Sequence, residues 1–477
     1  MKTYEGTSNF RSDINIYFRF LKMNSHMERF SWYISKSKSD SKPHQFTGVQ
    51  WMVENETRPD PVQGRRGGFI ADEMGLGKTI MTIGTFLANL LPHTLVVLPA
   101  VLVEQWREEI FRTTGHEVLV FHGQAKKTIG LDDLNKALIV LTTYNTIAFT
   151  KKKGPSLLHS IAWNRVVFDE AHHLRNRNSR WVGAKMIKAP IRWLISGTPI
   201  QNKRQDFYNL CSALKLPSSY YCDKANLRDL VQNFVLRRTK KDVGIAIPDV
   251  KYNQHMVPWS NQTERKLSED IHLALRFAPA KLLLLLRARQ TCIYPAMLMK
   301  SVPHMIRHSL LPKDNDYVGA VASSSKMDAV VQTLVQRKNN GNGKLVFCHF
   351  REEIDVLLQR LKDAGMDKVE FYDGRVSQAK RISVLAGQFE VLVLQIQTGC
   401  EGLNLQKDFS EVYFISPNWN PAIEDQAVAR CHRIGQTKEV QVFRFSMGEF
   451  EEDHLTLDKY ITKTQDIKRE IRNEILA

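Results

Sequence analysis

Between Asp72 and Thr79 the chain reads Asp72 Glu73 Met74 Gly75 Leu76 Gly77 Lys78 Thr79, a glycine turn ending in lysine and a hydroxyl. Phe69, Ile70 and Ala71 precede it as a short apolar strand, and Ile80, Ile83, Leu87 and Leu90 follow on one face of a helix. Those parts suit phosphate. Backbone N–H groups of a flexible turn and a helix N-terminus face phosphate oxygens, a lysine reaches the terminal phosphates, and Thr79 can ligate Mg²⁺. The strict phosphate-loop pattern has glycine where Asp72 stands. A glycine turn capping a helix is the alternative reading of these residues taken alone.

A second chemical element closes another apolar run. Val166, Val167 and Phe168 lead into Asp169 and Glu170, then Ala171 and His172. Next to a bound triphosphate, Asp169 would hold Mg²⁺ and Glu170 would orient or deprotonate the attacking water. On its own, an acidic pair after a strand also fits a solvated turn. A third element lies far along the chain, where Asn420 and Pro421 signal a helix start and Arg430 and Arg433 follow three residues apart, on one helical face. Two guanidinium groups can stabilise charge that develops on a transferred phosphoryl group; a pair of exposed arginines is the plainer alternative.

The elements that must position these residues form two series. Apolar runs Thr94 to Leu98, Leu138 to Leu141, Val166 to Phe168 and Ile191 to Ile195 alternate with amphipathic stretches, the pattern of buried parallel strands with helical crossovers. A second series has strands at Leu345 to Cys348, Val369 to Tyr372, Val391 to Leu394, Val412 to Ile415 and Val440 to Phe445. The expected fold is α/β, with two RecA-like lobes of parallel sheet and helical protrusions and a linker between them. The expected boundaries are an N-terminal extension over 1–41, lobe 1 over 42–242, helical protrusions and linker over 243–325, lobe 2 over 326–448 and a helical tail over 449–477. In open α/β sheets the ligand crevice lies beyond the carboxyl ends of the strands, so residues just after these apolar runs are expected to carry the chemistry.

At 477 residues the chain is long enough for two or three domains. Its longest leucine run, Leu282 to Leu286, is far too short to span a bilayer, and Met1 to Glu5 opens no apolar signal segment. The six cysteines stand apart with no metal-ligand spacing, so reduced thiols and no structural zinc are expected. A formal charge of +17 favours a polyanionic partner, with an aid to solubility the plainer alternative.

Longer ordered motifs carry a family resemblance. DEMGLGKT, DEAHHL, SGTPIQN (Ser196 to Asn202), LRRTKKDV (Leu236 to Val243), TGCEGLNLQ (Thr398 to Gln406) and DQAVARCHRIGQ (Asp425 to Gln436) resemble the Swi/Snf-type ATPases of helicase superfamily two over nearly all of Lys42 to Phe445. The resemblance implies a DNA-dependent ATPase that uses ATP and Mg²⁺ and translocates along double-stranded DNA. It implies an adenine contact at Gln45 and nucleotide contacts along Asp72, Glu73, Met74, Gly75, Leu76, Gly77, Lys78 and Thr79. Lys78, Glu170, Arg430 and Arg433 would serve hydrolysis, with Thr79 and Asp169 on Mg²⁺. His172, Ser196, Thr198, Gly402 and Gln426 would couple nucleotide state to movement. Pro99, Thr142, His349, Thr398 and Asn404 would line the DNA groove.

Compactness and motif style are most similar to the global-transactivator proteins of large insect DNA viruses. No bromo, chromo, SANT-type or RING module of the kind larger relatives carry is expected. Nucleosomes or DNA-bound transcription proteins are the expected targets, and the nucleus, a host's if the chain is viral, the expected location. Two other readings stand beside this one, a strand-separating helicase and a catalytically idle adaptor. The Arg-Ile-Gly-Gln ending at Gln436 resembles translocases, and the intact set of site residues argues against an adaptor.

Overall fold

The computed structural model describes residues 25–36, 42–277, 281–313, 315, 317–376, 383–384, 387–399, 403–450 and 454–476. They divide into two compact units, one running to Ala246 and resuming at Ile471, the other from Ile247 to Glu470.

The first unit is built on a parallel sheet of β1 (Arg66–Ile70), β2 (Thr94–Leu98), β3 (Leu119–Phe121), β4 (Ile139–Thr143), β5 (Arg165–Phe168), β6 (Ile191–Ile195) and β7 (Val235–Leu236) in the order β3-β4-β2-β5-β6-β1-β7. Its strands are continuous apolar runs because both faces are covered: Leu95 and Val97 enter one core, while Val96 and Leu98 enter the other. The register aligns the strand ends that matter. Ile70 pairs with Ile195, and Val97 with Phe168, so the segments after β1, β6, β2 and β5 emerge along one edge.

The second unit has its own parallel sheet of β8 (Val250–Val257), β9 (Gly343–Cys348), β10 (Val369–Tyr372), β11 (Val391–Gln395), β12 (Phe409–Phe414) and β13 (Val440–Met447), ordered β10-β11-β9-β12-β13-β8. Val391 and Val393 face one core and Leu392 and Leu394 the other. Two parallel α/β lobes, as expected from the sequence, are therefore present.

The structure departs from the sequence reading at several places, each with a physical reason. The organised chain does not begin near Lys42: His26–Lys36 is a helix whose Phe30, Tyr33 and Ile34 are buried in the first lobe. Gly84 admits it, since a Cβ there would lie 2.3 Å from the Phe30 ring. The stretch after Asp242 is not only helical. β8 pairs with β13 over eight residues, from Val250 with Val440 to Val257 with Met447. It escaped notice because an edge strand half open to solvent carries no apolar run; Tyr252 and Met256 are about half exposed. Helices Gln262–Phe277 and Lys281–Ile293 follow, as expected.

The Ser-rich stretch at 323–325 is anchored rather than a free linker. Ser323 and Ser325 hydroxyls both donate to Glu264, each at 2.5 Å, and Ser325 opens the helix Ser325–Gln336.

Within the second lobe His272 is locked neutral. Nδ1 donates to the Ser268 carbonyl at 2.6 Å, and Nε2 accepts from the Leu457 N–H at 2.9 Å. Burial pushes it from 6.5 down to about 4. An unfolded chain takes up this proton below pH 6.5, whereas the folded chain resists it until about pH 4. Stability should therefore fall as pH drops from 6.5 to 4, by up to about 3 kcal/mol. Urea midpoints at pH 7.5 and 4.5 check this, and the difference should shrink in His272→Gln.

Candidate functional site

Between β1 and the helix Lys78–Ala88 the chain turns through Gly75 (φ 91°) and Gly77 (φ 81°), both left-handed conformations that glycine adopts without penalty. No side chain caps the helix, so its first N–H groups face the loop. Thr79 follows in the first turn. Lys78 folds back over the loop, its Nζ donating to the carbonyls of Asp72 (2.8 Å) and Glu73 (3.2 Å). Burial lowers the basicity of this amine, while Glu170, Asp72 and Asp169 act the other way. Gly197, beside Ser196 after β6, leaves the amine room: a Cβ there would stand 3.4 Å from Nζ and 3.0 Å from Met74. Leu76 is buried, and its carbonyl meets His44 Nε2 at 3.0 Å.

Asp72, the departure from the strict loop pattern, is fully buried and gripped by Arg238, with Nε to Oδ1 at 3.2 Å and Nη2 to Oδ2 at 2.5 Å. Glu73 is held likewise, by the Lys240 ammonium at 2.6 Å and its backbone N–H at 2.8 Å. A carboxylate can replace glycine at position 72 because Arg238 of the LRRTKKDV segment receives it, while Lys240 of the same segment receives Glu73. Gln45, in the helix Pro43–Thr57, lies against the loop, its Nε2 2.4 Å from where a Gly77 Cβ would stand. Its Oε1 is buried and accepts no hydrogen bond from any described residue. A buried acceptor of that kind is costly unless a ligand donor meets it.

Asp169 sits at the end of β5, its backbone N–H on the Val97 carbonyl at 2.8 Å. Its Oδ2 accepts from Trp106 Nε1 at 2.8 Å, Oδ1 accepts from the Glu170 N–H at 2.9 Å, and its carbonyl accepts from the Tyr144 hydroxyl at 2.6 Å. Burial and then the charge of Glu170 push the Asp169 carboxyl up to about 7, against those donors and Lys78. A cation brought beside it would reverse that shift, so the carboxylate pair fits a metal ion. Glu170 itself has φ 48° and ψ 51°, a conformation an L residue rarely adopts, and His172 Nδ1 stands 3.2 Å from its Oε2. Ser196 and Thr198 are both buried, the Ser196 N–H on the Ile70 carbonyl (3.0 Å) and the Thr198 N–H on Ser196 Oγ (3.2 Å).

In the second lobe Asn420 caps the helix Pro421–Val428 by accepting from the Ala422 N–H at 3.1 Å, and Gln426 is buried in it. The helix stops before the two arginines, which stand on the turns that follow. That corrects the expectation of one helical face, yet the pair still converges: Arg430 Nη1 reaches the Leu403 carbonyl (3.4 Å), and Arg433 donates to the Asn404 side chain. Burial and then the nearby charge of Arg430 lower the basicity of Arg433, so two cations stand close together. Gln436 spends its amide internally, donating to the carbonyls of Gln406, Phe409 and Cys431 and accepting from the Thr437 and Lys438 N–H groups, 2.9 to 3.2 Å apart.

The groove residues divide. Thr142 is wholly buried and donates to the Phe121 carbonyl at 2.9 Å, and Pro99 is buried too, so neither side chain offers a surface to phosphate. Both were expected to touch DNA; with their side chains buried, any such contact would have to be made by backbone. His349 is partly buried, its Nε2 2.7 Å from Arg289 Nη2, and burial and then that guanidinium hold it well below its usual range. Asn404 is exposed. The Thr398 side chain and all of Gly402 lie outside the described residues. Sequence reading gave no role to Arg238, Lys240 or Trp106. LRRTKKDV was visible as a motif, whereas a tryptophan in an amphipathic helix has the pattern of a core residue.

The SNF2-related domain family matches residues 44–278, and the Helicase conserved C-terminal domain matches 325–435, together most of the chain. "ATP-dependent DNA helicase DDM1" of Arabidopsis thaliana is 26% identical over 474 residues, covering 86% of this chain and 59% of that protein. "Probable global transactivator" of Orgyia pseudotsugata multicapsid polyhedrosis virus is 26% identical over 473 residues, covering 91% and 90%. "DNA excision repair protein ERCC-6-like" of Danio rerio is 27% identical over 491 residues, covering 82% of this chain and 33% of that protein, so the chain spans less than two thirds of the length of this relative and of DDM1. A solved structure titled "Sulfolobus solfataricus SWI2/SNF2 ATPase core in complex with dsDNA" aligns at a TM-score of 0.40 and 24% identity over 92% of this chain and 93% of that one. With both domain matches in chain order over these motifs, the chain belongs to the Swi/Snf-type branch of helicase superfamily two.

Proposed function

We propose that this chain hydrolyses ATP and uses the cycle to move along double-stranded DNA, displacing or remodelling proteins bound there. The observation that carries the reading is the buried Asp169 and its half-buried neighbour Glu170 set with Lys78 beside an uncapped helix N-terminus. Phosphate oxygens replace the Asp72 and Glu73 carbonyls as partners of the amine, and the loop N–H groups hold the rest of the polyphosphate. Gln45 supplies the buried acceptor for the adenine amino group. Among the described residues no three His, Cys, Asp or Glu side chains gather to hold a metal by themselves. Mg²⁺ would therefore rest on Asp169, the Thr79 hydroxyl, water and phosphate, where it neutralises charge on the transferred group. Glu170 orients the attacking water, and Arg430 and Arg433 receive the charge that develops. Ser196, Thr198, His172, Gln426 and Gly402 relay the nucleotide state.

His349, Asn404 and Thr398, with backbone near Pro99 and Thr142, face the DNA. The setting we infer is a nucleus; no described helix is long and apolar enough to cross a membrane. Names of relatives that mention helicase or repair favour a nucleic-acid substrate.

Hydrolysis rates against duplex DNA, single-stranded DNA, RNA and nucleosomes at matched nucleotide concentration test the proposal. Duplex is expected to stimulate most, with ATP-driven displacement of a triplex strand. Robust unwinding of a forked duplex without triplex displacement would instead favour a strand-separating helicase. Grip through phosphates predicts that DNA affinity falls steeply and linearly in log salt with little dependence on sequence. Binding titrations between 50 and 200 mM salt, about the range over which such contacts lose several orders of affinity, check this.

A further inference from the structure

Resting on the nucleotide reading above, the geometry points to Arg238 as a positioning residue that fixes the base-reading helix against the phosphate loop and thereby sets preference for adenine nucleotides. Arg238 lies two residues beyond β7, and one guanidinium serves both sides. Nε and Nη2 grip the two Asp72 oxygens at the start of the loop, while Nη1 donates to the His44 carbonyl (2.6 Å) and the Thr47 hydroxyl (2.9 Å) in the Pro43–Thr57 helix. His44 is the neighbour of Gln45.

The packing leaves no slack around this link. At Gly48 a Cβ would come within 2.8 Å of Arg238 Nη2 and 2.5 Å of Met81 Sδ. A side chain there would have to displace both groups, so glycine leaves the guanidinium its place between the two helices. At Gly77 the Gln45 amide fills the space a side chain would need. Base reader and phosphate loop are thus in contact at one end and tied through Arg238 at the other.

A separate tie holds the loop alone. Lys240 pairs with Glu73 through its ammonium and its N–H, and the Glu73 N–H returns to the Arg238 carbonyl at 2.8 Å. Neither Lys240 bond reaches the Pro43–Thr57 helix. The two ties can therefore be cut independently: loosening the loop weakens every nucleotide alike, whereas freeing the helix weakens adenine nucleotides selectively. Lysine cannot replace Arg238, because three donors on one nitrogen do not span a carboxylate and two further acceptors.

The test uses the full chain and fluorescent ADP and GDP analogues in equilibrium titrations. Arg238→Lys should cut the preference for ADP over GDP by about tenfold, the scale of one or two hydrogen bonds. Thr47→Val, which removes an exposed hydroxyl that accepts from Arg238 and donates to the His44 carbonyl, should cut it by about threefold. Lys240→Met should weaken both nucleotides by similar factors and leave the ratio alone. Unfolding midpoints confirm that each variant is folded. A wild-type ratio in folded Arg238→Lys and in Thr47→Val overturns the assignment, as does a parallel loss for both nucleotides in Arg238→Lys. Wild-type hydrolysis, measured alongside, answers for the proposed activity alone: its absence sinks that reading, while the ratios still decide the role of Arg238.

Discussion

Lys78→Ala is expected to abolish DNA-stimulated ATP hydrolysis, with kcat/KM down by about a thousandfold or more and the fold retained. The amine sits among three carboxylates, Glu170, Asp72 and Asp169, and is held over the loop by two backbone carbonyls. Remove it and the loop keeps its shape, because Asp72 and Glu73 are secured by Arg238 and Lys240 instead. What disappears is the one cation of the loop that can follow the terminal phosphates into the transition state. A nucleotide polyphosphate would then face the Asp169 and Glu170 charges without that counter-charge, so affinity should fall together with turnover. Steady-state hydrolysis, nucleotide titration and an unfolding curve on the same preparation check the three parts. Wild-type turnover in a folded variant would remove Lys78 from the site.

Glu170→Gln should separate binding from chemistry. Glutamine has nearly the same size and keeps an oxygen toward His172, so the strained backbone at φ 48° has no new reason to relax. It lacks the charge and basicity needed to orient and deprotonate water. Turnover is expected to fall by about 10² to 10⁴ with nucleotide affinity unchanged or improved, since one negative charge beside the phosphates is gone. Losing Glu170 also relieves Asp169, whose carboxyl is held up by burial and then by that neighbour. A variant that binds and does not hydrolyse is the expected phenotype. Loss of binding with normal turnover at saturation would assign Glu170 to the ground state instead.

The two variants together test a division of labour that the first lobe displays in its geometry. Lys78 belongs to the loop after β1, and Asp169 and Glu170 to the end of β5, with β6 between those strands. The parallel register lines up their carboxyl ends, and Ser196, leaving β6, bonds back to Ile70 at the end of β1. The site is thus a product of sheet order as well as of motifs.

How much of this was legible in the chain differs from residue to residue. Gly75, Gly77, Lys78 and Thr79 declare a phosphate loop because backbone conformation and side-chain chemistry there are local demands, met by residue type at fixed spacing. Strands such as Thr94–Leu98 are legible because burial on both faces requires an unbroken apolar run. β8 was hidden for the opposite reason: an edge strand satisfies only part of its surface against the core, and its sequence shows no run at all. The helix His26–Lys36 was hidden because its apolar residues, Phe30, Tyr33 and Ile34, have meaning only against Gly84 and Val49, far along the chain.

By itself, then, the sequence determined the fold class and the family and marked out the residues proposed to handle nucleotide, since each rests on local chemistry repeated in order. Only the tertiary structure decided why Asp72 stands where a glycine is usual, that Arg430 and Arg433 converge from turns rather than a helix face, and that the Thr142 side chain is buried. Those outcomes depend on which group meets which across 21, 27 and 166 positions of the chain. Arg238 and Asp72 are 166 positions apart, and no spacing rule in one dimension reports a hydrogen bond between them.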